Sequence, residues 1–265
     1  MSDTTLPHLD ERFEGDDLDF SVWVPHYLAH WSSREASAAT YEIAADGLRL
    51  SIPFDQGLWC PDLHDEPIRV SCIQSASFSG PAGRTLGPQP FRDGLIVAEE
   101  QPTLWGYTPI YGEVEVTMRG SVTERSMFAF WMSGIEDQPE RSGEICVAEI
   151  FGTDVTEEGA DIGIGLHQFR DPRLTEEFST VFIPIDVTEY HTYGVEWRSN
   201  GLRFSVDSEI VRTIHQSPDY PMQLMIGVFD FPAREGPADH VPEMVVSRVT
   251  GTGSRPTASP SRSPG

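Results

Sequence analysis

The chain has 265 residues with 18 basic and 42 acidic side chains, giving a formal charge of −24, and every basic residue is arginine. A field this negative repels phosphate backbones and anionic lipid, which excludes nucleic-acid or membrane-surface binding as the main function, whereas a neutral substrate is unaffected. Twenty-three glycines, 21 prolines and 10% aromatic residues exclude a helix bundle or coiled coil, and the length suits one large all-β domain.

The first fourteen residues are polar and acidic and lack the basic and apolar regions of a secretory signal, so the residues alone predict a soluble, cytoplasmic protein. Alternating and β-favouring runs predict strands at Tyr41–Ala44, Leu48–Ile52, Leu95–Ala98, Tyr111–Gly120, Met127–Trp131 and Glu144–Phe151. Further strands are predicted at Ile162–His167, Thr192–Trp197, Leu202–Val206, Ile210–Ile214, Leu224–Phe229 and Met244–Val249. The clearest is Tyr111–Gly120, with Val114, Val116 and Met118 on one face and Glu113, Glu115, Thr117 and Arg119 on the other. About a dozen short strands at this spacing predict a two-sheet antiparallel β-sandwich. Helical signals are weak: 154–161 and 186–190 suit single turns.

Long connections at Pro53–Arg69, Phe78–Gly94, Glu99–Ile110 and Ser133–Gly143 are expected to form the rims of a groove. Residues 1–250 form the domain, and the Ser/Pro/Gly-rich stretch 251–265 is expected to be disordered. Cys60, Cys72 and Cys146 lack the spacing of a zinc site. Reduced thiols are expected, with a Cys60–Cys72 disulfide as the alternative.

The segment from Gly143 to Gly152 (GEICVAEIFG) carries two glutamates in an otherwise apolar strand. In a regular strand Glu144 and Cys146 share a face while Glu149 points to the other. One β-bulge between Cys146 and Glu149 would return Glu149 to the first face, with the two α-carbons roughly 13 Å apart at about 3.3 Å per residue. Side chains leaning together would then narrow the carboxyl gap toward the ~5–5.5 Å of a retaining glycosidase. The competing reading is an ordinary sandwich strand with one glutamate facing solvent.

Other stretches weigh on that choice. Glu-Ile-x-x-x-Glu resembles the active-site strand of glycoside hydrolase family 16, the laminarinase and lichenase family, whose pattern is E-I-D-x-x-E. Phe13-Glu14-Gly15 with Trp23, Tyr111–Glu115, Phe128–Met132, Ile164–His167 and Tyr190–Trp197 followed by Val206-Asp207 resemble other family segments in the expected order. The resemblance implies a concanavalin-like jelly roll with a glycan cleft. It also implies a retaining hydrolase of β-linked polysaccharide, such as a β-glucan, that needs no cofactor and works as a monomer, and an extracellular location would suit such a substrate.

On that resemblance Glu144 is the nucleophile and Glu149 the general acid/base, with Trp131 and His167 lining the cleft. For Trp131 a core position is an equal alternative, and for His167 a satisfied structural histidine. Trp59 and Trp105, on expected rim loops, are weaker candidates for stacking on sugar. Cys146 stands where the family has aspartate. A thiol is neutral and a weak donor, so Glu144 would lose an orienting partner and Glu149 part of the charge that raises its pKa. Three readings of Cys146 remain: a small buried hydrophobe, a degraded position in a lectin-like carbohydrate-binding protein, or a thiolate nucleophile, which flanking carboxylates disfavour. Val245 stands where many family members carry a calcium-binding aspartate, so no metal is expected.

Overall fold

A computed structural model describes residues 8–254. In chain order the strands are β1 (His8–Glu11), β2 (Thr40–Ala44), β3 (Gly47–Ser51), β4 (Arg69–Gln74), β5 (Ala76–Ser77) and β6 (Leu104–Trp105). They continue with β7 (Ile110–Ser121), β8 (Ser126–Gly134), β9 (Glu144–Phe151), β10 (Val155–Thr156), β11 (Gly159–His167) and β12 (Glu177–Ile183). The last are β13 (His191–Arg198), β14 (Gly201–Val206), β15 (Glu209–Ile214), β16 (Met222–Asp230) and β17 (Glu243–Ser254).

These strands build the expected two-sheet antiparallel jelly-roll sandwich. One sheet runs β15-β14-β13-β7-β17-β3-β2 with β1 beside β17, and the other runs β10-β11-β9-β8-β16-β4 with β12 beside β11. Strand β7 shows the half-buried pattern its sequence predicts: Val114, Val116 and Met118 are buried against the second sheet. Strands β8 and β16 are buried along their whole length. Phe128, Phe130, Met132, Leu224 and Ile226 fill the space between the sheets. The alternate residues Met127, Ala129, Trp131, Met225 and Phe229 form a separate apolar cluster on the outer face of the second sheet. Loops carrying Leu28, Trp31, Trp59, Leu95 and Val97 cover that face. Burial of both faces explains why β8 reads as a continuous apolar run.

The differences from the sequence reading have identifiable physical causes. Leu95–Ala98 is not a strand. Its buried residues lie in a loop, where Val97 N–H donates to the Arg84 carbonyl and the Val97 carbonyl accepts from Gly83 N–H. Strand β4 escapes a period-two search because both its faces are buried and Ser71 and Gln74 interrupt its apolar run. Strand β17 continues through Gly251–Ser254, four residues into the stretch read as a tail, because β7 and β1 pair with its backbone. Residues 255–265 of that stretch lie outside the described residues. The weak turn at 154–161 becomes a 3-10 turn at Gly152–Asp154 followed by the β10–β11 hairpin. Cys60, Cys72 and Cys146 are all buried free thiols, so the alternative Cys60–Cys72 pairing is not made. No helix among the described residues is long and apolar enough to cross a membrane.

The pairing of β11 with β12 in the second sheet depends on close backbone approach at Gly165, whose φ is +155°. A Cβ there would sit 2.3 Å from the Glu177 carbonyl oxygen and 2.7 Å from the Phe178 Cα. Gly165→Ala is therefore expected to destabilise the protein by about 1–3 kcal/mol, read as a lower urea midpoint at unchanged m-value.

Candidate active site

Strand β9 lies between β8 and β11, and both ladders shift register at the same place. Across β8, Phe130 pairs with Ala148 and Trp131 with Cys146, which leaves Val147 as the extra residue. Across β11, Gly163 pairs with Glu149 and Gly165 with Cys146. Val147 and Ala148 consequently both point into the sandwich core, together with Ile145 and Ile150. The bulge resets the alternation, and Glu144, Cys146, Glu149 and Phe151 all line one cavity on the outer face.

That cavity has a volume of about 290 Å³, and Tyr27, His64, Gln89, Trp131, Phe229 and Arg234 also line it. A second cavity of about 680 Å³ adjoins it, sharing Tyr27, His64 and Gln89 and reaching Trp59, Phe91, Glu136, Phe169 and Arg170. An aromatic wall joins the two. Tyr27 sits 4.8 Å from Trp59 and 5.3 Å from Phe229, and Phe91 sits 5.2 Å from Trp59, between ring centroids. Such rings offer the apolar faces on which sugar C–H surfaces pack.

The structure brings together most of the residues singled out from the sequence. Trp131 is buried, yet it lies on the cavity side of β8 rather than in the core between the sheets. His167 pairs with Glu144 across the ladder. Its ring stacks on Phe178 at 4.3 Å, and Nδ1 lies 2.6 Å from Glu176 Oε1. Trp59 is buried rather than exposed on a rim and lines the second cavity. Trp105 is exposed on β6, opposite Ala76, and lines neither cavity. Tyr27, His64, Gln89, Phe229 and Arg234 were not predicted. They come from distant loops and strand ends, and only the places of His64 and Gln89 in long connections hinted at them.

Two carboxyls in this apolar trough are costly to ionise together. Burial and the neighbouring Glu149 push Glu144 up to about 8, against a pull downward from Gln89, whose amide N–H donates to Glu144 Oε2. Burial also raises Glu149, opposed by His167 and by the Cys146 thiol. The Cys146 Sγ lies 3.8 Å from Glu149 Oε2 and 3.6 Å from the Gly163 carbonyl. Burial and the two flanking glutamates hold this thiol well above its ordinary pKa, which disfavours the thiolate form. Among the described residues no group of three or more His, Cys, Asp or Glu side chains is placed to hold a metal ion.

The chain matches the family model "Glycosyl hydrolases family 16" over residues 107–238, which include β9 and its bulge. No curated protein sequence matches it. Among solved structures it is similar to a GlcNAcα1-4Gal-releasing endo-β-galactosidase from Clostridium perfringens, with 26% identity and a TM-score of 0.80. That likeness covers 94% of this chain but 62% of the other, so the chain spans less than two thirds of that enzyme's length. It is also similar to a laminarinase from Flavobacterium (16% identity, TM-score 0.62, covering 92% of this chain and 98% of that one). A non-specific endo-β-1,3(4)-glucanase, SCLam, gives 16% identity and a TM-score of 0.63, covering 96% and 93%.

A carboxyl that titrates near 8 in the folded chain and near 4.5 when unfolded binds more protons folded than unfolded between those values. The stability it contributes is fully present below pH 4.5 and is lost as the pH rises toward 8. Glu144→Gln removes that loss. It should stabilise the protein by more than about 1 kcal/mol at pH 8 and by little at pH 5, in thermal melts at the two values. With the fold, the bulged Glu-Ile-x-x-x-Glu strand and the matched family segment together, the chain belongs to glycosyl hydrolase family 16.

Proposed function

We propose that this chain is a retaining glycoside hydrolase that cleaves a β-linked glycan by double displacement. The observation that carries the proposal is the shared face of Glu144 and Glu149 across the Val147 bulge. Glu144 attacks the anomeric carbon while Glu149 protonates the departing oxygen. Glu149 then removes a proton from water, which attacks the same carbon and releases the sugar with its configuration retained. The aromatic wall packs against sugar rings, and Trp131, opposite Cys146, faces the same cavity between the register partners of the two carboxyls. His167, backed by Glu176, acts as a polar contact beside them.

A β-galactosidic linkage is the first substrate to test, because the endo-β-galactosidase likeness is stronger in both identity and TM-score than those to the glucanases. A β-glucan is the second. The lectin-like reading is less favoured, since the cleft retains both carboxyls and the named neighbours are glycan-cleaving enzymes.

Reducing ends released from a panel of β-galactosyl glycans and β-glucans test the proposal, with proton NMR of the first-formed anomer testing retention. Glu144→Gln and Glu149→Gln should each lower kcat by about 10²–10⁴-fold or more, with the fold intact. Glycan binding without turnover in the wild type would instead establish the lectin reading.

The productive state needs Glu144 ionised and Glu149 protonated. With Glu144 raised to about 8, kcat/KM should climb through the neutral range rather than near 4.5, the ordinary value for a glutamate. Cys146→Asp adds a negative charge beside Glu149, so the alkaline limb of that profile should move upward and hydrolysis should rise or broaden in pH. An unfolded Cys146→Asp protein would show that the position accepts apolar groups alone.

A further inference from the structure

Gln89 lies in the connection after β5, in a left-handed backbone conformation with φ +48°. Three other non-glycine residues with positive φ line the same cavity: Leu28 (+42°), Glu136 (+53°) and Phe169 (+43°). Left-handed backbone at non-glycine residues costs energy and persists where its surroundings enforce it. Here the enforcing contact is Glu136, itself buried, whose Oε1 accepts from the Gln89 backbone N–H at 2.6 Å. Its other oxygen pairs with Arg170, and the Arg170 backbone N–H donates to Ser142 Oγ at 2.8 Å. Three loops are thereby tied together at the backbone of Gln89.

The side chain of Gln89 then reaches Glu144. Its amide N–H donates to Glu144 Oε2, and among the described residues no other side chain donates to that carboxylate. Cys146 turns instead toward Glu149 and Gly163. The Gln89 Oε1 is buried without a hydrogen-bond partner. An unpaired buried carbonyl is unfavourable, so this amide is not placed to satisfy itself, and Glu144 is what its placement serves.

We propose that Gln89, braced by Glu136 and Arg170, is the positioning residue of Glu144, supplying the hydrogen bond that Cys146 does not. The proposal rests on the reading of Glu144 as nucleophile and adds the group that orients it and favours its ionised form. A donor aimed at one of two coupled carboxyls biases which of them keeps the shared proton. By donating to Glu144, Gln89 works against the burial that raises this carboxyl and so favours the proton on Glu149, as double displacement requires.

The test uses the full chain with ¹³C-carboxyl-labelled glutamate, the Glu144 resonance being assigned with Glu144→Gln. Gln89→Ala should move the Glu144 titration upward by about one pH unit. On the glycan cleaved fastest by the wild type, it should lower kcat by about 10²-fold with little change in KM and shift the acid limb of the pH profile upward. Gln89→Glu keeps the shape but replaces the donor with a like charge. It should be at least as impaired, and it carries the test if Gln89→Ala fails to fold. An unchanged Glu144 titration in the folded variants overturns the proposal, as does wild-type kcat in Gln89→Glu. If the wild type cleaves nothing in the panel, the hydrolase reading fails, while the titration still decides whether Gln89 governs Glu144.

Discussion

The site depends on one extra residue in a strand that cannot slip. Strand β9 is held on both sides, and the ladders to β8 and β11 each absorb the surplus between Cys146 and Glu149. A strand in the middle of a sheet, with its core face already committed by Ile145 and Ile150, has no freedom to change register. The surplus is taken up as a bulge, and two consecutive small or branched residues, Val147 and Ala148, are buried side by side. That local irregularity turns a sandwich strand into one presenting Glu144, Cys146 and Glu149 to the same trough.

Placing two carboxyls in an apolar trough creates the electrostatic problem that the rest of the site manages. The protein carries a large negative charge and no lysine. Two of the arginines at the cavities are already engaged: Arg170 with Glu136, and Arg234 with Glu66 at 2.8 Å and 2.9 Å. No cation is left from these pairs to hold both glutamates ionised. Both carboxyls are raised instead, and the pair retains a proton into the neutral range. For acid/base chemistry this retained proton is useful, provided that it sits on the right partner. The neutral Cys146 thiol turned toward Glu149 and the neutral Gln89 amide turned toward Glu144 both bear on that choice.

The loops do the remaining work. Trp59, Phe91 and Tyr27 form a wall of edge-to-face rings, and Glu136 and Arg170 fix the opposite rim. Strained backbone at Leu28, Gln89, Glu136 and Phe169 gathers along the larger cavity. These segments give up local backbone preference to hold side chains at defined positions around the trough, a pattern expected where rigidity serves binding.

The sandwich was legible because its signals are local. Period-two burial writes β7 into its own residues, and β9 has the bounds that its apolar run predicts, Glu144–Phe151. The two glutamates and the intervening cysteine stand out for the same reason: charged or reactive groups in an apolar strand are visible without knowing the neighbours. What remained hidden is non-local. Strand β4 shows no alternation because partners cover both its faces, and Gly251–Ser254 joins β17 through backbone pairing that composition does not record. Gln89 meets Glu144 across 55 positions of chain, and Glu136 meets the Gln89 backbone across 47. The sequence by itself determined the fold class and the acidic strand, since both follow from residue type and short-range periodicity. Which face Glu149 shares, what donates to Glu144 and which aromatics form the wall were decided only when two sheets and three loops packed together. Those relations are distances between segments remote in the chain, and no local pattern encodes them.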